Sequence, residues 1–388
     1  MRAELPDKTQ VIAGSATAAA VEIVDPPGGA ADSSSAGPDE TRSKTTIRLS
    51  DGHRQGEIGL FGYETERLRW MQDRALSVDV RFGTASIDRF EGLLCLPGHD
   101  CLFDESGQPV IETQEFLRGR SGRQIVSKSR TPLLPVPKAV KRLDVPVLFS
   151  GWPSRHWGKF LTRGISRLWA VPGLDLPSEV KLLRSKWARW SETFLRHADM
   201  EPDRFVKITE PTRLDEVFVP APSFVESCRA FDCHFVLPER VAERVCGPRP
   251  KLTDQPVYLS RSRLAEKMQR SSGEAALEEA LAENGVRIVW PETMSFEDQV
   301  RLFNQHSTFI GQIGSAFHSL MFRLPDRPVR TIVFDPVRPH WASFAMVDLL
   351  KGVQATYVQV KLIDRTGERT GDLDVGTSIA WLEALSVI

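Results

Sequence analysis

The sequence predicts an α/β protein: two Rossmann-like domains facing across a cleft, with a β-rich N-terminal portion. Three observations carry this. The chain has 388 residues, more than one hydrophobic core usually supports. Its hydrophobic content of 41% and charged content of 26% suit a globular protein with apolar material for two cores. From Asp144 onward, short apolar β-branched runs alternate with stretches of helical periodicity, the pattern of a parallel sheet covered by helices.

Taken in order, residues 1–44 read as a flexible N-terminal segment. Asp25–Lys44 is dominated by Pro, Gly, Ala, Ser and charge, which buries too little apolar surface to offset its ordering entropy. The earlier apolar patch, VIAGSATAAAVEIV, is interrupted by Glu22 and preceded by Glu4 and Asp7, so a signal peptide is not expected. No run approaches the roughly 18 uncharged apolar residues of a membrane span, and the cytoplasm is the expected location. An N-terminal domain is placed at 45–240. Its early part, with GLLCLPG and CLFDESGQPVIET, reads as strands with turns at Pro97-Gly98 and Glu105-Ser106-Gly107. VPVLFSG reads as a buried strand, His156–Trp169 as a helix, and Ser178–Ala198 as a second helix. In the latter, Leu183, Trp187, Trp190 and Phe194 share one face. FVKI and EVFVP follow as strands.

A C-terminal domain, 241–388, is drawn after the Pro- and Arg-rich stretch near Pro238–Pro250. PVYLS, VRIVW, TFIG and VRTIVFD read as strands. Between them lie a helix over Gly273–Asn284 stopped by Gly285, a helix opened by Ser295 with Asp298 three residues on, and a helix in GSAFHSLMF. This βαβ ladder is half of a doubly wound fold.

The formal net charge of -1 argues against bulk nucleic-acid binding. Five cysteines is an odd, low count that does not suggest a disulfide framework. CLPGHDC brackets His99 with Cys95 and Cys101, but without a fourth ligand in view it reads as buried thiols on a turn rather than zinc.

Ligands of open α/β sheets bind beyond the carboxyl ends of strands, and three such ends here carry chemistry. SRSR, after PVYL, puts Arg261 and Arg263 where forked guanidiniums suit a diphosphate; surface salt bridging is the plainer reading. FIGQIGSAFHSL places Gly311 and Gly314 around a strand-to-helix turn with Ser315 at the helix start, where free N–H groups favour a phosphate. Those glycines could equally serve the turn alone, and His318, one turn on, could face phosphates or simply pack. Glu292 ends VRIVWPE and could accept ribose hydroxyls, with Glu297 and Gln299 nearby. For Glu297 and Asp298, stabilising the helix dipole is the stronger reading.

The succession VYLSRSR, RSSGEAALEEAL, GVRIVWPETMSFEDQVRLFNQHSTFIGQIGSAFHSLMF and RTIVFDP resembles glycosyltransferase family 61, of the bacterial capsular polysaccharide biosynthesis-like kind. GQPVIET, GWPSRHWGKFLTRGISRLW and TRLDEVFVPAPSF are similar to its earlier segments, so the resemblance runs from Phe90 to Asp364. It implies a GT-B-like architecture and inverting transfer from a nucleotide-sugar, usually UDP-linked, to a glycan or lipid-linked acceptor, with no cofactor and often no essential metal. Family roles fall on Arg261, Glu274, Glu292, Gln299, Gly314 and Ser315 for the donor. His156 matches the first-domain histidine and is the candidate catalytic base. The only DxD, Asp372-Leu373-Asp374, lies in the C-terminal tail, which disfavours a metal held by clustered carboxylates. The chain departs from the family at Ile313, where many members carry His, and at Lys159 and Phe160, where many carry a carboxylate. The alternative is therefore a catalytically degenerate protein that binds a nucleotide-sugar or glycan. Lys181–Arg196, basic and Trp-bearing, suggests peripheral contact with the inner face of a membrane, although a core stripe is the favoured reading.

Overall fold

The computed structural model describes residues 8–12, 17–19, 21–24, 43–49, 57–62, 69–71, 73–74, 77–118, 125–127, 134–151, 154–173, 181–184, 189–200, 204–247, 250–264, 271–325, 327–335, 341–359, 361–365 and 368–388. The chain forms two compact units, Met1–Ala18 with Asp79–Val241, and Ala19–Val78 with Ala242–Ile388.

The first unit is built on a mixed sheet ordered Lys8–Ile12, Ile87–Cys95, Thr212–Pro220, Val147–Leu148, Lys181–Arg184, Phe205–Lys207. Ile87–Cys95 pairs antiparallel with Thr212–Pro220, while Val147–Leu148 runs parallel to Thr212–Pro220 and to Lys181–Arg184. Phe90, Leu93, Val147, Phe149, Leu214 and Val217 form its core. The predicted turns are present: Gly98 at φ +90° follows Pro97, and Gly107 at φ +84° closes onto the Asp104 carbonyl at 3.0 Å. Cys95 and Cys101 are buried thiols, and burial pushes the Cys95 thiol up to about 12.

Two helix predictions in this unit need correction. Within the expected helix Ser178–Ala198, Lys181–Arg184 is a strand and the helix is Arg189–His197. Leu182 and Leu183 are buried in that strand, between Val147–Leu148 and Phe205–Lys207. Sheet pairing overrides an apolar spacing that also fits a helix. Trp187 lies outside the described residues. Trp190 packs edge-on against Trp157 at 5.1 Å and Phe160 at 4.6 Å, so it belongs to a core stripe. The expected helix His156–Trp169 is helical only over Trp157–Lys159 and then widens into a π turn, Phe160–Gly164. There Thr162 Oγ donates back to the Gly158 carbonyl at 2.9 Å, and the Ile165 N–H reaches five residues back to Phe160 at 3.0 Å.

The second unit carries a sheet ordered Arg287–Val289, Val257–Leu259, Thr308–Gln312, Arg330–Asp335, Gln354–Gln359, Glu57–Gly62, Ser43–Leu49, Val21–Val24. Its pairings are parallel through Glu57–Gly62 and antiparallel beyond it. The residues from Ala19 to Val78 therefore belong to this unit, although 45–78 was expected in the N-terminal domain. Strand Glu57–Gly62 finds its partner Gln354–Gln359 across most of the chain, a pairing with no local signal. Strands Lys8–Ile12, Thr17–Ala19 and Val21–Val24 also form inside the segment expected to be flexible, while residues 25–42 of it lie outside those described.

The βαβ ladder of the second half is present. Helix Glu274–Glu283 buries Leu277 and Leu281, one turn apart. It ends as predicted at Gly285 (φ +77°), where the Gly285 and Val286 N–H groups bond back to Ala282 and Leu281, each at 3.0 Å. Ser295 caps Phe296–Gln305 by accepting from the Asp298 N–H at 3.1 Å. Ser315–Phe322 is a run of 3₁₀ turns rather than a regular α-helix. The helix Val375–Ala384 adds Trp381 and Leu382 to a core containing Tyr258, Ile310, Ile332 and Phe334. Among the described residues no helix is long and apolar enough to cross a membrane.

Candidate functional site

Strand register sets the site. Leu259 pairs with Val289 on one side and Gly311 on the other, and Gly311 pairs with Val333. The loops that follow these strands leave from one edge of a parallel sheet, where such folds bind ligands.

Arg261 lies in the first of these loops. Its backbone N–H donates to Glu274 Oε1 at 2.8 Å, and the Tyr258 hydroxyl donates to the same oxygen at 3.2 Å. Glu274 is only 6% exposed. Burial raises its pKa, while the hydrogen bonds from Arg261 and Tyr258 pull the other way. Burial, then the adjacent Glu274, raises the Tyr258 hydroxyl well above its ordinary value. Glu274 thus sits behind the loop and fixes the main chain at Arg261. It is held there by Gly273 (φ +80°), whose Cα faces the Leu373 carbonyl too closely for any Cβ.

The side chain of Arg261 crosses to the next loop, where Nη1 donates to the Ile313 carbonyl at 3.3 Å. A Cβ on Gly314 would fall inside 3.0 Å of that nitrogen. Gly314 itself is extended, at φ −176°, so it is glycine here to admit the guanidinium and not for its own backbone. Gly311 serves packing: a Cβ there would lie 3.0 Å from the Leu259 carbonyl oxygen and 3.4 Å from Phe317. Ser315 opens the 3₁₀ run with Gly314 as its cap, so the positive end of that run lies beside the guanidinium. A guanidinium and the N-terminal end of a 3₁₀ run together make an anion site suited to phosphate groups.

The remaining expected residues fall around this centre in different ways. Arg263 lies on the Trp290 ring, its guanidinium carbon 3.6 Å from the centroid. Trp290 Nε1 donates to Ser262 Oγ at 3.0 Å, tying the first loop to the edge strand. Glu292 is exposed in the Pro291–Thr293 turn, and Gln299 Nε2 holds that turn by donating to the Pro291 carbonyl at 2.9 Å. His318, expected either to face phosphates or to pack, is 8% exposed and packs on Phe344 with ring centroids 4.3 Å apart. His156, in the first unit, is exposed and caps Trp157–Lys159, its Nδ1 accepting from the Lys159 N–H at 3.3 Å.

Sequence reasoning missed Trp290 as a partner of Arg263 and a cluster of charge in the first unit. Arg163 there bridges Glu115 and Glu226, whose opposite charges outweigh burial and keep its pKa raised. Arg167 is 4% exposed, with Nη2 donating to the carbonyls of Glu112 at 2.8 Å and Gln114 at 3.1 Å, and Nη1 to that of Pro220. Burial lowers its pKa to about 9. The available signal was two arginines four apart, one helical turn, as the only charges in FLTRGISRLW. Among the described residues, no group of three or more His, Cys, Asp or Glu side chains is placed to hold a metal ion.

Residues 157–333 match the model of the family described as Glycosyltransferase 61. The match takes in every expected donor-side residue from Arg261 to His318, begins one residue after His156, and is shorter than the span expected from the resemblance. It supports a glycosyltransferase, a transferase that binds a sugar donor and an acceptor, and the mixed α/β architecture is consistent with such a fold. None of the curated proteins compared with the chain matches it.

Proposed function

We propose that this chain is an inverting, metal-independent glycosyltransferase of GT-B type, moving a sugar from a UDP-linked donor to a glycan or lipid-linked acceptor in cell-surface polysaccharide synthesis. The observation that carries the reading is Arg261. Its guanidinium crosses to the Ile313–Gly314 main chain, beside the N-terminal end of the Ser315 run. In an inverting transfer the acceptor oxygen bonds the anomeric carbon as the bond to the diphosphate breaks, leaving charge on the diphosphate. A cation and the N-terminal end of the 3₁₀ run are the groups to stabilise it. Glu292 accepts ribose hydroxyls, and Gln299 supports its turn. His156 takes the acceptor proton, and the enzyme works in the cytoplasm.

A second reading, binding without turnover, rests on Ile313. Its side chain is buried and has no titratable group, where many members of the resembled family place a histidine.

Thermal unfolding with UDP, GDP, CMP and NAD tests the first reading. UDP at about 100 times its dissociation constant should add roughly 2.7 kcal/mol. Protection by NAD alone would overturn it. UDP protection with no UDP released from any UDP-sugar, even with acceptors, would favour the second.

A further inference from the structure

The first unit holds two recesses that the donor site leaves unused. One, of about 310 Å³, is walled by Glu115, Arg163, Arg167, Lys159 and Ser154, with Phe224 as an apolar face. The other, of about 510 Å³, is walled by Arg81, Thr84, Asp88 and Arg229, with Phe231. Phe116, Pro222 and Val225 line both, so the recesses adjoin along a shared wall. We propose that they hold consecutive sugar units of the acceptor, so that the acceptor is an oligosaccharide or longer glycan and not a monosaccharide. This rests on the glycosyltransferase reading.

Position is the first argument. Strand Thr212–Pro220 and its parallel neighbour Val147–Leu148 both run toward these recesses. Ala221 and Pro222, after the first strand, and Gly151, after the second, line them. The recesses therefore lie beyond carboxyl ends of parallel strands, the usual place for a ligand. Gly151 (φ +78°) brings the main chain close to Arg167, where a Cβ would sit 3.3 Å from Cδ.

Charge is the second. Arg163 is committed to Glu115 and Glu226, and Thr162 Oγ fixes Glu226 further at 2.7 Å. Arg81 and Arg229 share Asp79, at 2.9 and 2.6 Å. The charges of Arg163, Arg81 and Arg229 are thus compensated within the protein, while Arg167 is held by three main-chain carbonyls with Asp88 and Glu112 opposing its charge. An anionic ligand would need surplus cations. A neutral ligand whose hydroxyls both donate and accept fits walls of fixed donors beside fixed acceptors. The shared wall of Phe116 and Pro222 offers an apolar surface for the C–H face of a sugar ring.

Size is the third. Small-molecule sites span roughly 300 to 1,000 Å³, and two such recesses in series suit a chain of units better than one ring. Ser154 and Lys159, which flank His156 in sequence, line the first recess, so a sugar there lies against the segment that carries the proposed base.

Saturation-transfer NMR tests this on the full chain. The probes are methyl glycosides of xylose, glucose and galactose, and the matching tetrasaccharides xylotetraose, cellotetraose, maltotetraose and galactotetraose. Thermal protection by UDP is measured on the same samples. Ser154→Trp should fill the first recess and Thr84→Trp the second. At least one tetrasaccharide should bind ten times more tightly or better than its methyl glycoside. Each Trp variant should remove that gain while keeping UDP protection, which also shows that it folds. The proposal is overturned if no tetrasaccharide binds, if none exceeds its methyl glycoside, or if both Trp variants bind like the wild type. Saccharide binding without UDP protection of the wild type would unseat the glycosyltransferase reading and this assignment with it.

Discussion

Replacing Gly314 with alanine should separate phosphate recognition from stability. The added methyl would fall inside 3.0 Å of Arg261 Nη1, so one of the two must move. The backbone is extended there, at φ −176°, and accepts alanine without strain. The atom in the way is the far end of a flexible side chain, so the guanidinium swings out. Its bond to the Ile313 carbonyl is 3.3 Å long, beyond the usual range, and only part-buried, so its loss should cost no more than about 1 kcal/mol of fold stability. The diphosphate loses more. A hydrogen bond to a charged group is worth about 1.5–3 kcal/mol, which is about 10- to 100-fold in affinity. Calorimetric titration with UDP and with uridine, alongside urea unfolding, measures all three quantities. The expected result is an unchanged midpoint, a tenfold or greater loss for UDP and no loss for uridine. Equal losses for UDP and uridine, or none for UDP, would refute the placement of Arg261 on the diphosphate.

Three further changes probe what supports the site. Glu274→Gln keeps an oxygen for the Arg261 N–H and the Tyr258 hydroxyl, so UDP titration and thermal unfolding should show little change. Glu274→Ala strands both buried donors, which costs about 1–3 kcal/mol each, and should weaken UDP binding as the loop loosens; equal damage from Gln and Ala would mean that the carboxylate acts by its charge. Gly285→Ala meets no atom within 4 Å but must hold φ +77°, so urea unfolding should show a loss of about 1–2 kcal/mol. Asp348 is buried, accepts from the Tyr357 hydroxyl at 2.5 Å, and has its pKa raised by burial to about 7 from 3.8. Between those values the folded chain holds a proton that the unfolded chain has released. This site's contribution to stability therefore falls as pH rises from about 4 to about 7, by up to roughly 1.4 kcal/mol per unit. Urea unfolding from pH 5 to 8 should show that decline, and Asp348→Asn should flatten it.

The ladder from Val257 to Asp335 was legible because its information is local. Each of its strands is a short apolar run, the helices Glu274–Glu283 and Phe296–Gln305 have a stop or cap in sequence at Gly285 and Ser295, and the loaded residues follow strand ends directly; the elements after Asp335 went unread. What escaped was non-local. Glu57–Gly62 joins a sheet whose partner strand lies about 300 residues away, and no pattern inside EIGLFG points there. Lys181–Arg184 shows that two buried leucines fit a strand as well as a helix when neighbouring strands supply the hydrogen bonds. In the site, residue types were readable but their division of labour was not. Only burial shows that Glu274 holds the loop from behind, and only the Phe344 contact shows how His318 packs.

The proposed function needs a nucleotide diphosphate at the loop that carries Arg261. Titrating UDP and uridine into wild type and Arg261→Ala tests this most directly. The account predicts at least a tenfold loss of UDP affinity in the variant, from the 1.5–3 kcal/mol of a charged hydrogen bond, with uridine within about twofold. UDP binding that survives the substitution, or a loss shared equally by uridine, would contradict it.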